Sequence, residues 1–212
     1  TGDGVVTFDH VAGRLAAWTH AGRELVTGPL RFHLTKPVID NHRPLYEALW
    51  LPNQLGLASE SCVDFEWRVD GDSVFADART RMAPPSAGWS LELLTRYEVR
   101  PDGALRVEAS GEPDGYDDLV QVVGVDLGVA KRFRRASWYG RGPGENYPDS
   151  RQAALLGRYE ADVAELSVDY VFPQDTGNRG DVRWFALRDR KGAGLFVAGE
   201  ERLNASAWPW SA

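Results

Sequence analysis

"CVDFEWRVDGDSVFADARTR", Cys62 to Arg81, sets two alternating runs on either side of Asp70-Gly71-Asp72. Alternation with period two sends successive side chains to opposite faces, and an Asp-Gly pair suits a tight reversal. Cys62–Val69 and Ser73–Arg81 are therefore expected to pair as an antiparallel hairpin. The next stretch repeats the device: "SLELLTRYEVRPDGALRVEAS", Ser90 to Ser110, turns at Pro101-Asp102-Gly103. There Leu91, Leu93, Thr95, Tyr97 and Val99 share one face, while Glu92, Leu94, Arg96 and Glu98 share the other. One face asks for a core and the other is mostly polar. Outward from these hairpins, turn signals recur about every eight to twelve residues between short apolar runs, the pattern of an all-β sandwich or barrel.

The same reasoning places strands at Val5–Phe8, Arg14–Trp18, Leu119–Ala130, Phe133–Tyr139, Val182–Leu187, Leu195–Ala198 and Leu203–Trp208. "TKPVIDNHRPLYEALWLPNQLGL", with prolines at 37, 44 and 52, is expected to be a long irregular excursion with one helical turn around Tyr46–Trp50. "RQAALLGRYEADVAEL", Arg151 to Leu166, is ambiguous. Ala, Leu, Glu and Arg favour a helix after a Ser150 cap, but Gly157 interrupts and the periodicity is mixed. The chain has eight Trp residues, most of them expected in the core.

Composition narrows the function. The 212 residues, 43% of them hydrophobic, suit a single domain, 1–212, with no linker, repeat or low-complexity segment. A net charge of −7, with only Lys36, Lys131 and Lys191 as lysines, argues against a general nucleic-acid binder. No apolar run approaches the roughly 20 residues that cross a bilayer, and "TGDGVVTFDH" has neither a basic start nor an apolar core. Cys62 is the only cysteine, so a reducing, cytoplasmic home is expected, and the sequon Asn204-Ala205-Ser206 reads as coincidence. Histidines 10, 20, 33 and 42 lack zinc-type spacing, so no metal site is expected.

The densest polar stretch is "SWYGRGPGENYPDS", Ser137 to Ser150. Its three glycines invite a phosphate-binding reading, but a Walker loop needs Lys and then Ser or Thr after the last Gly, where Glu145 and Asn146 stand. A dinucleotide fingerprint needs a helix to start there, and Pro143 and Pro148 bracket that start. Two readings remain. One makes the loop a plain reversal with a local Arg141–Glu145 pair, the other a binding loop carrying Arg141, Glu145, Asn146 and Tyr147. Glu145 with Asp149 as a glycosidase acid pair would need the two carboxyls about 5–5.5 Å apart, which sequence proximity does not establish. Tyr170, Gln174, Asn178, Arg179, Arg183 and Trp184 form a second polar-aromatic cluster, suited either to stacking and hydrogen bonding a sugar or to holding the two loops together.

Three ordered motifs carry a resemblance: "WYGRGPGENYPDSR" (Trp138–Arg151), "GRYEADVAEL" (Gly157–Leu166) and "YVFPQDTGNRGDVRWFAL" (Tyr170–Leu187), with "LRFHLTKPVIDNHR" (Leu30–Arg43) upstream. Together they resemble the C-terminal domain, or small chain, of the bacterial β-galactosidases of glycoside hydrolase family 2. Departures from the family's pattern are Lys36 before Pro37, Ser150 displacing an arginine to Arg151, and Asp175 where a Glu is usual.

The resemblance implies a galactose-mutarotase-like super-sandwich of antiparallel strands, truncated at its C-terminus, and an extended rather than helical Gln152–Leu166. It implies a non-catalytic domain that serves as scaffold and part of the active-site cleft wall of an enzyme hydrolysing terminal β-D-galactosides. The catalytic glutamates would sit on a TIM barrel absent from this chain. It further implies no cofactor here, Mg and Na held by other domains of the parent, and those domains and a β-galactoside as partners, with no nucleic acid and no membrane. Two alternatives stay open: an autonomous carbohydrate-binding module and a mutarotase-like epimerase. Trp208 and Trp210 read as core or edge-strand packing in preference to a sugar platform, and an unpaired edge would favour self-association.

Overall fold

The computed structural model describes residues 3–210. The chain forms two compact units, Thr1–Gly128 and Val129–Ala212. In the first, the strands are β1 (Gly4–Asp9), β2 (Arg14–His20), β3 (Arg23–Val26), β4 (Arg31–His33), β5 (Ser59–Asp70), β6 (Ser73–Ala83), β7 (Ser90–Val99), β8 (Leu105–Asp114) and β9 (Gly124–Asp126). They make a β1-β2-β3 sheet, a β5-β6-β7-β8 meander and a short β4-β9 pair, all antiparallel. The opening hairpin closes through Gly71, whose φ of +59° a side chain would resist, and its ladder begins with Asp70 opposite Ser73. On β7 the alternation holds: Leu93, Thr95 and Tyr97 are buried, Glu92 and Arg96 exposed. The buried face of this meander packs on the small sheet, where Phe8 of β1 sets its ring 5.0 Å from Tyr97 of β7 and 6.0 Å from Phe65 of β5.

Burial pushes the Tyr97 phenol up to about 12, with its hydrogen bond to the Leu15 backbone working the other way. The neutral phenol is the favoured form in the folded chain. Its share of stability is therefore full below the ordinary tyrosine value near 10 and is lost as pH rises from there to about 12, at about 1.4 kcal/mol per pH unit. Tyr97 is expected among the tyrosines that titrate late in the tyrosinate absorbance, and Tyr97→Phe should lower the amplitude of that late step by one phenol.

The proline-rich excursion is helical for longer than one turn. Asp40–His42, Arg43–Leu45 and Tyr46–Trp50 follow one another, with Pro44 in the first turn where its missing N–H leaves no bond unmade. The excursion delivers Trp50 and Leu55 to a core with Leu34, Met82, Trp89 and Leu93. The indole of Trp50 donates to the Leu119 carbonyl at 2.8 Å and that of Trp89 to the Asn53 carbonyl at 2.7 Å.

Those bonds also explain a correction. The expected strand Leu119–Ala130 is a strand only at Gly124–Asp126. The Leu119 carbonyl is taken by Trp50 and by the Tyr116 hydroxyl, the Gln121 side chain accepts the Lys36 amide, and the Gly128 carbonyl accepts the Thr27 and Gly28 amides. The polar groups of this run thus go to side chains and single bridges instead of a ladder. Strands β3 and β4 were too short to stand out in the sequence.

In the second unit β10 (Arg135–Gly142), β11 (Leu155–Asp162), β12 (Arg179–Arg188) and β13 (Gly194–Ala205) form one antiparallel sheet in the order β11-β10-β12-β13. Ala136, Trp138, Val163, Leu166, Val182 and Phe185 build its core. The expected strand Phe133–Tyr139 is shifted to Arg135–Gly142, and the two strands expected at Leu195–Ala198 and Leu203–Trp208 are one, ending at Ala205. Irregular register against β12 near Val182 bends that strand without breaking it. The helix option for Gln152–Leu166 is overturned in favour of the extended form. Leu155–Asp162 pairs residue by residue with Gly142–Arg135, flanked by single tight turns at Arg151–Ala153 and Val163–Glu165, the latter closed by an Asp162/Glu165 capping box. Nor are most tryptophans core. Trp50, Trp89 and Trp138 are buried, while Trp67 and Trp210 lie exposed.

Candidate functional site

The stretch Gly140–Arg151 leaves the sheet at the end of β10 and meets the segment that leads into β12. Gly140 lets the two strands approach, since a Cβ there would stand 2.9 Å from the Val182 Cα. Arg141, expected to pair with Glu145, instead reaches across to β12. Its Nε donates to Asp181 at 2.5 Å and its Nη1 to the carbonyls of Arg151 and Ala154 at 3.0 and 2.8 Å. Arg141 thereby fastens both ends of the loop to the sheet, and Asp181 is held below the ordinary carboxylate range chiefly by it, with Arg202 3.7 Å away.

Glu145 is committed elsewhere. Its carboxylate accepts from Tyr170 on one oxygen, and from the Gly177 amide at 2.7 Å, Thr176 at 3.0 Å and Tyr147 at 3.3 Å on the other. Burial pushes this carboxyl up, but the four donors outweigh it and hold Glu145 below the ordinary range. Tyr147 is pushed well up by burial and by the negative charges of Asp175 and Glu145, and Tyr170 is pushed up by its bond to Glu145. Both phenols therefore stay donors.

Asn146 is 1% exposed and bridges the two motifs. Its Oδ1 accepts the Gly180 amide at 3.0 Å, its own amide donates to the Asn178 carbonyl at 3.0 Å, and the Asn178 side chain returns a bond to the Asn146 carbonyl at 2.5 Å. Beneath them Arg179, buried, donates to the carbonyls of Gly177 and Leu166 and lies over the Trp138 ring at 5.2 Å. Burial depresses its affinity for the proton, offset in part by Glu145 and Tyr147. The Trp138 indole donates to the Arg141 carbonyl at 3.0 Å.

Seven of the ten residues singled out in the sequence come together. Arg141, Glu145, Asn146, Tyr147, Tyr170, Asn178 and Arg179 form one network. Arg183 lies over Tyr139 and donates from Nη1 to the Asp181 carbonyl at 2.6 Å, while Trp184 is stacked on Phe196. Gln174 is half-buried outside the network. Sequence reasoning missed Thr176, Gly177 and Asp181. A backbone amide carries no side-chain signal, and Asp181 becomes Arg141's partner only through the β10–β12 pairing. Trp208 is not core either: half-buried, it donates to the Thr176 carbonyl at 3.2 Å.

Beside the network lies a polar hollow of about 140 Å³ lined by Arg141, Asn146, Tyr147, Pro148, Arg151, Gly180, Asp181, Arg202, Leu203 and Asn204. It offers donors and one carboxylate, chemistry suited to hydroxyl groups. Among the described residues no three His, Cys, Asp or Glu side chains come together as a metal-ligand set. No helix among them is long and apolar enough to cross a membrane.

An all-β chain whose second unit joins these two motif loops by a carboxylate and an asparagine matches the family model for the β-galactosidase small chain over residues 1–212, and the chain belongs to that family. It is 31% identical over 210 residues to a β-galactosidase of Lactobacillus delbrueckii subsp. bulgaricus, covering 98% of this chain and 20% of the relative. It is 34% identical over 188 residues to one of Vibrio cholerae, covering 83% and 18%, and 32% identical over 207 residues to one of Priestia megaterium, covering 96% and 19%. The chain thus spans about a fifth of the length of the curated relatives it matches.

Proposed function

We propose that this chain is a non-catalytic domain of a longer polypeptide that hydrolyses terminal β-D-galactosides, supplying scaffold and part of the wall of the active-site cleft. The observation that carries this reading is the state of Glu145. Retaining hydrolysis needs one carboxyl kept protonated as an acid and a second about 5–5.5 Å away as nucleophile. Glu145 is held ionised, and four donors occupy its oxygens. It ties the Tyr170–Gly177 segment to the loop after β10, which is the work of a wall. On this reading the acid/base and nucleophile lie on a separate barrel, and the Mg and Na that the resemblance implies are held by other domains of the parent.

The polar hollow beside Arg141 favours a second reading, a module that binds carbohydrate on its own. Titration of the 212-residue chain with galactose and lactose, followed by Trp fluorescence, separates the two. No saturable change is expected for a wall that lacks the rest of its cleft, and saturation in the low millimolar range would establish the module instead. An epimerase would need a general acid and base over a sugar, and no histidine is among the residues that line the hollow.

A further inference from the structure

In the first unit a second hollow, about 280 Å³, opens between the two sheets, lined by Val6, Phe8, Phe65, Trp67, Val74, Ala76 and Val99. Every lining residue is apolar. β1 is the outer strand of its sheet and β5 the outer strand of the other, and from β5 the lining continues onto the inner strands β6 and β7. Trp67 is 69% exposed there, and Val69, two residues along β5 on the same face, is 63% exposed. Apart from the indole N–H of Trp67, a sugar would meet no hydrogen-bonding side chain, and an ion would meet no charge. The volume falls just below the roughly 300–1,000 Å³ of small-molecule pockets and suits large apolar side chains delivered by a polypeptide. Contiguous exposed apolar surface of this kind marks an interaction site.

We infer that this cleft is a docking socket for apolar side chains from the part of the parent polypeptide that lies outside this chain. The occupant follows from length: the chain spans only about 20% of the relatives it matches, which leaves most of such a polypeptide available to cover the cleft. The two outer strands also leave unpaired backbone groups on which an incoming segment can add a strand while its alternate side chains fill the hollow. The inference rests on the reading that the chain is one domain of a longer polypeptide. It does not depend on which sugar that polypeptide cleaves.

Hydroxyl-radical footprinting of Trp67, in the 212-residue chain and in the whole polypeptide that carries it, tests the socket. Trp67 is expected to react at least about tenfold more slowly in the whole polypeptide, and Trp67→Arg there should raise the hydrogen exchange of β1 and β5. Because Trp67 is exposed in the isolated chain, the substitution should leave the chain folded, which circular dichroism checks. Equal reactivity in the two forms would overturn the inference. So would protection in the isolated chain that grows with its concentration, which would assign the cleft to a second copy. Activity on a β-galactoside, measured on the same sample, reports separately on the proposed function.

Discussion

Replacing Trp138 with alanine is expected to cost the second unit about 3–5 kcal/mol, the range for removing a buried tryptophan. The upper end applies for three reasons. The ring is 1% exposed between Tyr159 and Phe185, with ring centroids at 5.5 and 6.3 Å. Its indole holds the Arg141 carbonyl. Its face also supports Arg179, a buried guanidinium that would lose its aromatic neighbour. Urea unfolding followed by circular dichroism should show the midpoint falling sharply for Trp138→Ala. Trp67→Ala, at an exposed position, should stay within about 0.5 kcal/mol.

Glu145→Ala is expected to be the next largest change, about 2–3 kcal/mol, and a local one. Hydrogen bonds to a charged group are worth about 1.5–3 kcal/mol each, but Tyr170 is partly in water and its share is small. The Gly177 amide and Thr176 lose their acceptor, so amide exchange at Val168–Asn178 should accelerate by about thirtyfold or more, while the β10–β12 ladder keeps its protection. The pH dependence follows from the direction of the shift. The Glu145 carboxyl is lowered in the folded chain, so its contribution is present above the ordinary carboxylate range and is lost as pH falls through the lower, folded value. In acid the same amides should therefore loosen in the native chain, and Glu145→Ala should show no such acid step.

How far the sequence could be read depends on where each element finds its partners. The hairpin at Cys62–Arg81 was legible because its turn residue and alternation are local and its strands pair with each other. The run Leu119–Ala130 was not, because its carbonyl at Leu119 is claimed by an indole 69 residues away. For Arg151–Leu166 residue propensities pointed to a helix, and pairing with β10 overrode them. In the site, the amino-acid types of Arg141, Asn146, Tyr147, Tyr170, Asn178 and Arg179 marked them as a cluster before any contact was known. The partner of each was hidden. Arg141 sits four residues from Glu145 in the chain but bonds Asp181, forty residues on, while Glu145 takes its donors from Thr176 and Gly177. Burial was misjudged where tryptophans were counted as core by type, since Trp67 stands at a sheet edge with its face open.

The claim at the centre of this account is that the polar network around Glu145 holds a wall in place and performs no chemistry of its own. The most direct measurement is turnover of a nitrophenyl β-galactoside by the purified 212-residue chain, beside the same chain carrying Glu145→Gln. The account predicts no release of nitrophenol above the uncatalysed rate from either. Hydrolysis by the native chain that Glu145→Gln abolishes would contradict it.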